Sequence, residues 1–346
     1  MKQETMIRCG LVGCGSISKN HLFAIKKNLS TIKLVAVCDK NAELVKEVAR
    51  EFKVSSYDDY TSMLDKEDLE LVILCTPSGF HPAQTIEASQ KGINVLTEKP
   101  MALILEDANK MVNACEENNI NLFVVKQIRF NPLLKALKSS IEEGYFGKIF
   151  LFHANVFWTR PQSYYDESDW RGSKDLDGGS FMNQASHHVD LLSWLFGRPE
   201  ELHAYTGTLG RSIESEDTGV VNFKFQQDIL GSMSVTTLTY PSNLETSLTV
   251  IGEKGTVKIG GQSLDVIEKW EFENKKANSS IDSSNKKFFD SKSYGHEMYY
   301  EAVAKSLRGK TNNAVSGLEA IKSLEIITAI QESSLEKRTI KFPLNI

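Results

Sequence analysis

The sequence predicts an α/β protein in two parts: a parallel sheet covered by helices, then an α+β domain built on a large, open, mainly antiparallel sheet. Three observations predict it. From residue 7 to about 125, short apolar runs alternate with segments whose apolar residues recur at helical spacing. Beyond Asn131 the runs lengthen, alternate with period two and are divided by turn residues. The chain has 346 residues, more than the ~250–300 at which a single core stops growing. Two domains are therefore expected, 1–126 and 127–346.

The first part reads as strands at 7–12, 34–38, 71–76, 93–96 and 122–125, separated by helices at 42–52, 60–64, 82–91 and 106–117. Its runs are apolar almost throughout, as strands buried on both faces must be, and helices between them make the sheet parallel. The first run leads into Gly13-Cys14-Gly15-Ser16-Ile17-Ser18 and a helix opening near Ser16. Gly13 permits a tight turn, and Gly15 lets the backbone approach an anion. The helix start offers unpaired N–H groups and the positive end of its dipole. Ser18, also small, stands where a third glycine is usual. Taken alone, the turn fits any strand-to-helix connection. Asp39 gives it meaning: it closes the second run a little over twenty residues on, where an acid accepts the ribose hydroxyls of NAD and repels the extra phosphate of NADP. Together these residues predict a Rossmann dinucleotide-binding domain holding NAD, with Lys40 softening the preference.

In the second part a helix at 132–143 ends on Gly144 and Gly147. Strands follow at 149–157, 202–208, 220–226, 230–239, 246–251, 255–259 and 266–272. Helices at 181–196, 294–307 and 317–334 cover part of one sheet face, and a partner subunit is expected on the rest. Residues 275–293, rich in Lys, Ser, Asn and Asp, read as a mobile surface loop, with a substrate lid as the sharper alternative.

Composition excludes several classes. A formal charge of −5 argues against a nucleic-acid partner, which needs a basic face. No apolar run approaches the ~18 residues of a membrane span, and residues 1–6 lack a signal-peptide core. The five cysteines, Cys9, Cys14, Cys38, Cys75 and Cys115, are odd in number and form no Cys-x-x-Cys. They read as buried thiols of a cytoplasmic protein rather than disulfides or zinc ligands.

Ligands of parallel sheets bind beyond the carboxyl ends of the strands. Thr76-Pro77, Glu98-Lys99-Pro100 and Lys126-Gln127 stand there. An ammonium at Lys99 can stabilise a developing alkoxide or, with its pKa depressed, accept a proton. A second cluster follows Asp177-Gly178-Gly179. On a helix over 181–196, Asn183, His187 and Asp190 are spaced i, i+4, i+7 and share one face. An amide before the imidazole and a carboxylate after it can fix the tautomer a general base requires. His188 points about 100° away, and adjacent helical histidines do not easily share a metal, so no metal is expected. Between the clusters, Arg160 and Arg171 lie among Trp158, Tyr164, Tyr165 and Trp170, with Arg129 a third cation. They suggest a carboxylate or phosphate on a small substrate, although aromatics in a long loop also form small cores.

Taken together, Val12-Gly13-Cys14-Gly15, Glu98-Lys99-Pro100 and Gly178-Gly179 with His187 and Asp190 resemble the Gfo/Idh/MocA family of nicotinamide-dependent sugar oxidoreductases, over nearly the whole chain. Phe157-Trp158-Thr159-Arg160-Pro161-Gln162, Tyr164-Tyr165-Asp166, Trp170-Arg171-Gly172 and Asp177 to His187 resemble one subgroup, the UDP-N-acetylglucosaminuronic acid (UDP-GlcNAcA) 3-dehydrogenases of the WlbA/WbpB type. The resemblance implies NAD-dependent oxidation of the sugar C3 hydroxyl on a route to bacterial surface polysaccharides. It implies Lys99 and His187 as the catalytic pair, with their two roles open to exchange. Cofactor contacts are expected from Gly13, Gly15, Ser16, Ile17, Asp39, Thr76, Pro77, His81, Glu98, Lys99, Gln127 and Arg171. Substrate contacts are expected from Lys99, Arg129, Arg160, Tyr165, Asn183 and His187. It further implies tightly held NAD, a homotetramer through the C-terminal sheet and, in some members, recycling of NADH by 2-oxoglutarate. Many relatives carry Asp where this chain has Asn183, which weakens a simple Asp–His relay. Two alternatives remain: a family dehydrogenase for another sugar or inositol, and a non-catalytic NAD-binding regulator.

Overall fold

The computed structural model describes residues 6–278 and 295–344. Its first sheet contains β1 (Ile7–Val12), β2 (Ile32–Cys38), β3 (Ser55–Tyr57), β4 (Leu71–Leu74), β5 (Asn94–Thr97) and β6 (Leu122–Val124). They lie in the order β3-β2-β1-β4-β5-β6, every pair parallel. The order reverses between β1 and β4, the switch point at which such sheets open a crevice. β3 is absent from the sequence reading because Ser55 and Ser56, exposed, and Tyr57, half-buried, carry no apolar run at a sheet edge.

Local signals set the helices. Asn41 caps the helix Ala42–Phe52 by accepting from the Glu43 and Leu44 amides, and Lys53 in the left-handed region ends it. Val45, Val48 and Ala49 form its buried stripe. The helix after the glycine turn is Ser18–Lys27, two residues later than expected, so Ser16 and Ile17 belong to the turn. All five cysteines are buried and free.

The second sheet contains β7 (Ile149–Phe157), β8 (Pro199–Gly207), β9 (Thr218–Phe225), β10 (Leu230–Thr236), β11 (Glu245–Gly252), β12 (Gly255–Gly260), β13 (Val266–Phe272) and β14 (Ile340–Lys341). Their order is β13-β12-β11-β7-β10-β9-β8-β14. One central pair, β7 with β10, is parallel and the rest are antiparallel, which makes the sheet mixed. On the inner face Phe152 stacks on Phe196 at 4.7 Å and meets Phe225 edge-on at 5.5 Å. The helix Ser186–Phe196 thereby covers that face. The outer face carries an apolar row in register, Ile251 beside Leu151 beside Leu230, each at least 37% exposed.

Among the described residues, those up to 130 and from 295 to 321 form one compact unit, and 131–278 with 322–344 form the other. The helix His296–Leu307 thus belongs with the parallel sheet, although the expected boundary at 126 assigns it to the second domain. The helix expected at 294–307 begins at His296 in the structure. Lys275–Asn278 is a helical turn, and the remainder of the expected loop or lid lies outside the described residues. No helix among the described residues is long and apolar enough to cross a membrane.

Gly231 pairs with Phe152 across the parallel ladder, and a Cβ there would stand 2.0 Å from that ring. Gly231→Ala is therefore expected to destabilise the second unit by about 1–3 kcal/mol, measured as a fall in unfolding midpoint. An unchanged midpoint would show that Phe152 swings aside at no cost.

Candidate active site

In the first unit the tips of β1, β4 and β5 define the candidate cofactor site. Gly13 has φ +90°, and a Cβ there would lie 2.7 Å from the Cys75 carbonyl, so no side chain fits. At Gly15 the opposite holds: no atom comes within 4 Å of where a Cβ would stand, leaving open space in front of the turn. The amides opening the helix Ser18–Lys27 receive no side-chain cap. Ser18 packs its hydroxyl on the Gly15 carbonyl at 2.7 Å. Asp39 faces the turn, one carboxylate oxygen accepting from the Cys14 N–H (2.6 Å) and the other from the Asn41 N–H (2.8 Å). The Ser18, Lys19 and Asn20 amides bond back to the Gly15, Ser16 and Ile17 carbonyls. The anion therefore falls to the amides of the turn itself, at Gly15, Ser16 and Ile17. With open space at Gly15 and an acid beside the turn they fit a dinucleotide, pyrophosphate on the amides and ribose on Asp39.

The remaining candidates of this unit divide. Thr76 donates to Gln84 Oε1 at 2.6 Å. His81 is fully buried, its ring nitrogens 2.9 Å from the Pro100 carbonyl and 2.8 Å from that of Thr76. Burial lowers its pKa. Its ring is held between the tips of β4 and β5 rather than facing outward. The Glu98 carboxylate also turns inward, toward His21 and His296. Lys99, half-buried, precedes Pro100 through a cis peptide bond. Gln127 begins the single turn Gln127–Phe130. Arg129, offered by the sequence to a substrate anion, is 8% exposed and pairs with Glu319 at 3.4 Å.

In the second unit the expected helix over 181–196 is broken. Gly178 and Gly179 have φ of 80° and 98°. A wide π-turn, Ser180–Gln184, follows, Ala185 leaves helical geometry, and a new helix runs Ser186–Phe196. The cause is Glu216: its carbonyl accepts the Ser180 N–H and its carboxylate the Phe181 N–H, both at 3.0 Å. A Cβ on Gly179 would strike that carboxylate at 2.2 Å. His187 and Asp190 stay on one helix, but Asn183 lies across the break. It donates instead to Asp177, whose other oxygen accepts the Gly172 N–H. The predicted Asn183–His187–Asp190 stripe is thus reduced to its last two members. His187 is half-buried, Asp190 has no exposed surface, and His188 meets Trp158 edge-on at 5.7 Å.

The Arg160 guanidinium lies over Trp158 and Tyr164, at 5.1 and 5.3 Å, and donates to Gln184 Oε1 and the Thr159 carbonyl. The Arg171 guanidinium lies 4.2 Å over Tyr164 and pairs with Glu167. It lines a polar cavity of about 300 Å³ with Tyr165, Asp169, Ser173, Ser212 and Glu214. The Tyr165 ring is buried and its hydroxyl lies 3.3 Å from that of Thr237. His21, His296 and Glu216 escaped the sequence reading, since their partners lie far away in the chain.

The comparisons place this geometry. Residues 7–126 match the Gfo/Idh/MocA "oxidoreductase family, NAD-binding Rossmann fold", and 138–342 match the family's C-terminal alpha/beta domain. The chain belongs to the Gfo/Idh/MocA oxidoreductase family. Among solved structures it is similar to the WlbA dehydrogenase of Bordetella pertussis in complex with NADH and UDP-GlcNAcA. They share 44% identity at TM-score 0.92, over 99% of this chain and 100% of that one. The WlbA dehydrogenase of Chromobacterium violaceum, with the same ligands, gives 45% and 0.92 over 99% and 97%. Among curated proteins it is 27% identical to a D-apiose dehydrogenase of Paraburkholderia graminis, over 72% of this chain. The match spans 66% of that relative, and 54% of a levoglucosan dehydrogenase of Pseudarthrobacter phenanthrenivorans, 29% identical over 58% of this chain.

Burial first, with the Asp177 charge adding to it, pushes the Glu216 carboxyl up to about 7 against the Phe181 hydrogen bond. The folded state then binds more protons than the unfolded one between about pH 4.5 and 7, so this group's contribution to stability falls as pH rises through that window. Glu216→Gln keeps the acceptor for Phe181 and removes the charge. It is expected to gain about 1–3 kcal/mol over wild type at pH 8 and nothing at pH 4, below the window, at roughly 1.4 kcal/mol per pKa unit. Unfolding midpoints at the two pH values check it, and an equal difference at both would refute it.

Proposed function

We propose that this chain oxidises the C3 hydroxyl of UDP-GlcNAcA with NAD, in the cytoplasm, as a step toward bacterial surface polysaccharide. The observation that carries the reading is identity of 44–45% over 99% of the chain to two dehydrogenases whose structures hold NADH and that nucleotide sugar. NAD, when bound, supplies the acceptor for the C3 hydride. Gly13 and the turn amides of Gly15, Ser16 and Ile17 hold its pyrophosphate, and Asp39 its ribose. His187 takes the C3 hydroxyl proton, and the Lys99 ammonium stabilises the oxygen as its negative charge develops. Both side chains are half-buried and so reachable from solvent. Arg160, stacked on two aromatic rings, offers its charge to the diphosphate or carboxylate.

Mixing the protein with UDP-GlcNAcA and NAD should raise absorbance at 340 nm. Lys99→Ala and His187→Ala should each slow that rise by about 10²–10⁴-fold while NADH binding, read by fluorescence, persists. No rise with UDP-GlcNAcA but a rise with inositol or a free sugar would transfer the reading to another family substrate. NADH binding with no substrate at all would favour a regulator.

The exposed row Ile251–Leu151–Leu230 supports a homotetramer through the outer face of the second sheet, since exposed apolar surface in register across three strands suits a partner. Leu151→Glu combined with Leu230→Glu should lower the mass seen by light scattering from four chains to fewer. A mass unchanged at four would move the interface elsewhere.

A further inference from the structure

One buried cluster joins Glu98, expected at the cofactor, to three residues with no role assigned so far. The Glu98 carboxylate, 5% exposed, sits directly after β5. Its Oε1 is 2.8 Å from His21 Nε2 and 3.4 Å from His296 Nε2, and its Oε2 accepts the Lys99 N–H at 3.0 Å. His21 Nδ1 lies 2.6 Å from the Tyr300 hydroxyl. His21, His296 and Tyr300 are at most 1% exposed.

The protons of this cluster can be assigned. Burial pushes the Tyr300 ionisation well up, so the hydroxyl keeps its proton and donates to His21 Nδ1. Burial also lowers the His21 pKa, leaving a neutral ring whose Nε2–H donates to Glu98. Burial works against charge on Glu98, but the hydrogen bonds from His21 and His296 outweigh it and hold the carboxyl well below its usual range. An anion accepting on both oxygens is fixed in orientation. Three potential ligand atoms within 4.8 Å of one another also suit a small cation. At 2.8 Å, however, the His21–Glu98 contact is a hydrogen bond in its own right.

These residues come from three places in one unit. His21 is on the helix Ser18–Lys27, which follows the turn of the dinucleotide cradle. Glu98 adjoins Lys99, and His296 and Tyr300 belong to the helix His296–Leu307. We propose that Glu98 is a positioning residue: through His21 it ties the Lys99 backbone to the cofactor-binding helix and keeps the amine in register with the bound dinucleotide. The inference rests on the catalytic role given to Lys99 above.

The test uses the NAD-loaded protein. Glu98→Gln keeps the size and one acceptor oxygen but not the charge, and Tyr300→Phe deletes only a hydroxyl at the far end of the chain of bonds. Glu98→Gln should lower kcat at least about tenfold, with sugar KM and NADH Kd within roughly threefold of wild type, as expected when a reacting group is misplaced rather than a ligand lost. Tyr300→Phe should show the same split with a fall of about threefold. Acetylation of Lys99 by acetic anhydride, read by peptide mass spectrometry against the other lysines, should change at least about threefold in Glu98→Gln. Folded variants whose kcat stays within about twofold of wild type would overturn the proposal. A stoichiometric transition metal in the purified wild type that is lost in Glu98→Gln would overturn it too, making the cluster a metal site. If wild type does not turn over UDP-GlcNAcA, the functional reading falls, and Lys99 acetylation alone decides the positioning role: unchanged reactivity refutes it.

Discussion

Main chain meets main chain where Gly13 lies against Cys75, and the first unit is arranged around that contact. A Cβ on Gly13 would stand 2.7 Å from the carbonyl carbon and oxygen of Cys75, so neither partner can yield by rotating a side chain. The contact joins the tips of β1 and β4, where strand order reverses. The turn that results points N–H groups at open space by Gly15 while Asp39 anchors its far side. An anion-accepting cradle is the direct result of one residue type at one position.

Most of this unit was legible because its signals are local or nearly so. Gly13, Gly15 and Asp39 stand at spacings that strand length and helix length fix, and runs such as 71–76 are apolar because both faces are buried. What stayed illegible depends on residues far apart in sequence. His21 and Glu98 are 77 positions apart, and His296 and Glu98 198, so no periodicity connects them. His81 shows the limit from the other side. Its place just past a strand tip suggests a ligand contact, but the ring is buried between two backbone carbonyls. β3 was lost for a third reason, since polar edge residues carry no pattern to read.

The second unit repeats the lesson at its histidine helix. Phe181, Met182, Ala185, Val189 and Leu192 trace a helical stripe, and all are buried as that stripe predicts. The stripe does not reveal that the Ser180 and Phe181 amides bond to Glu216 instead of continuing a helix. The competing acceptor enters from a strand-end loop more than thirty residues away. Apolar periodicity therefore reported burial correctly while misplacing Asn183, whose amide was taken by Asp177. Only a polar side chain's partner shows which way it faces.

The three arginines sort by the same physics. Arg129 faces Glu319, and Arg171 faces Glu167, so each shares its charge with a carboxylate already in place. Arg160 is different: its partners, Gln184 Oε1 and the Thr159 carbonyl, are neutral, and it makes no ion pair among the described residues. Two neutral acceptors and the faces of Trp158 and Tyr164 hold the guanidinium plane still without cancelling its charge. An incoming anion meets at Arg129 or Arg171 a charge that a neighbour already offsets, and at Arg160 a fixed, uncompensated one. In a chain of net charge −5, a cation without an ion pair stands out. Of the three cations, Arg160 is therefore the one whose charge no ion pair among the described residues offsets.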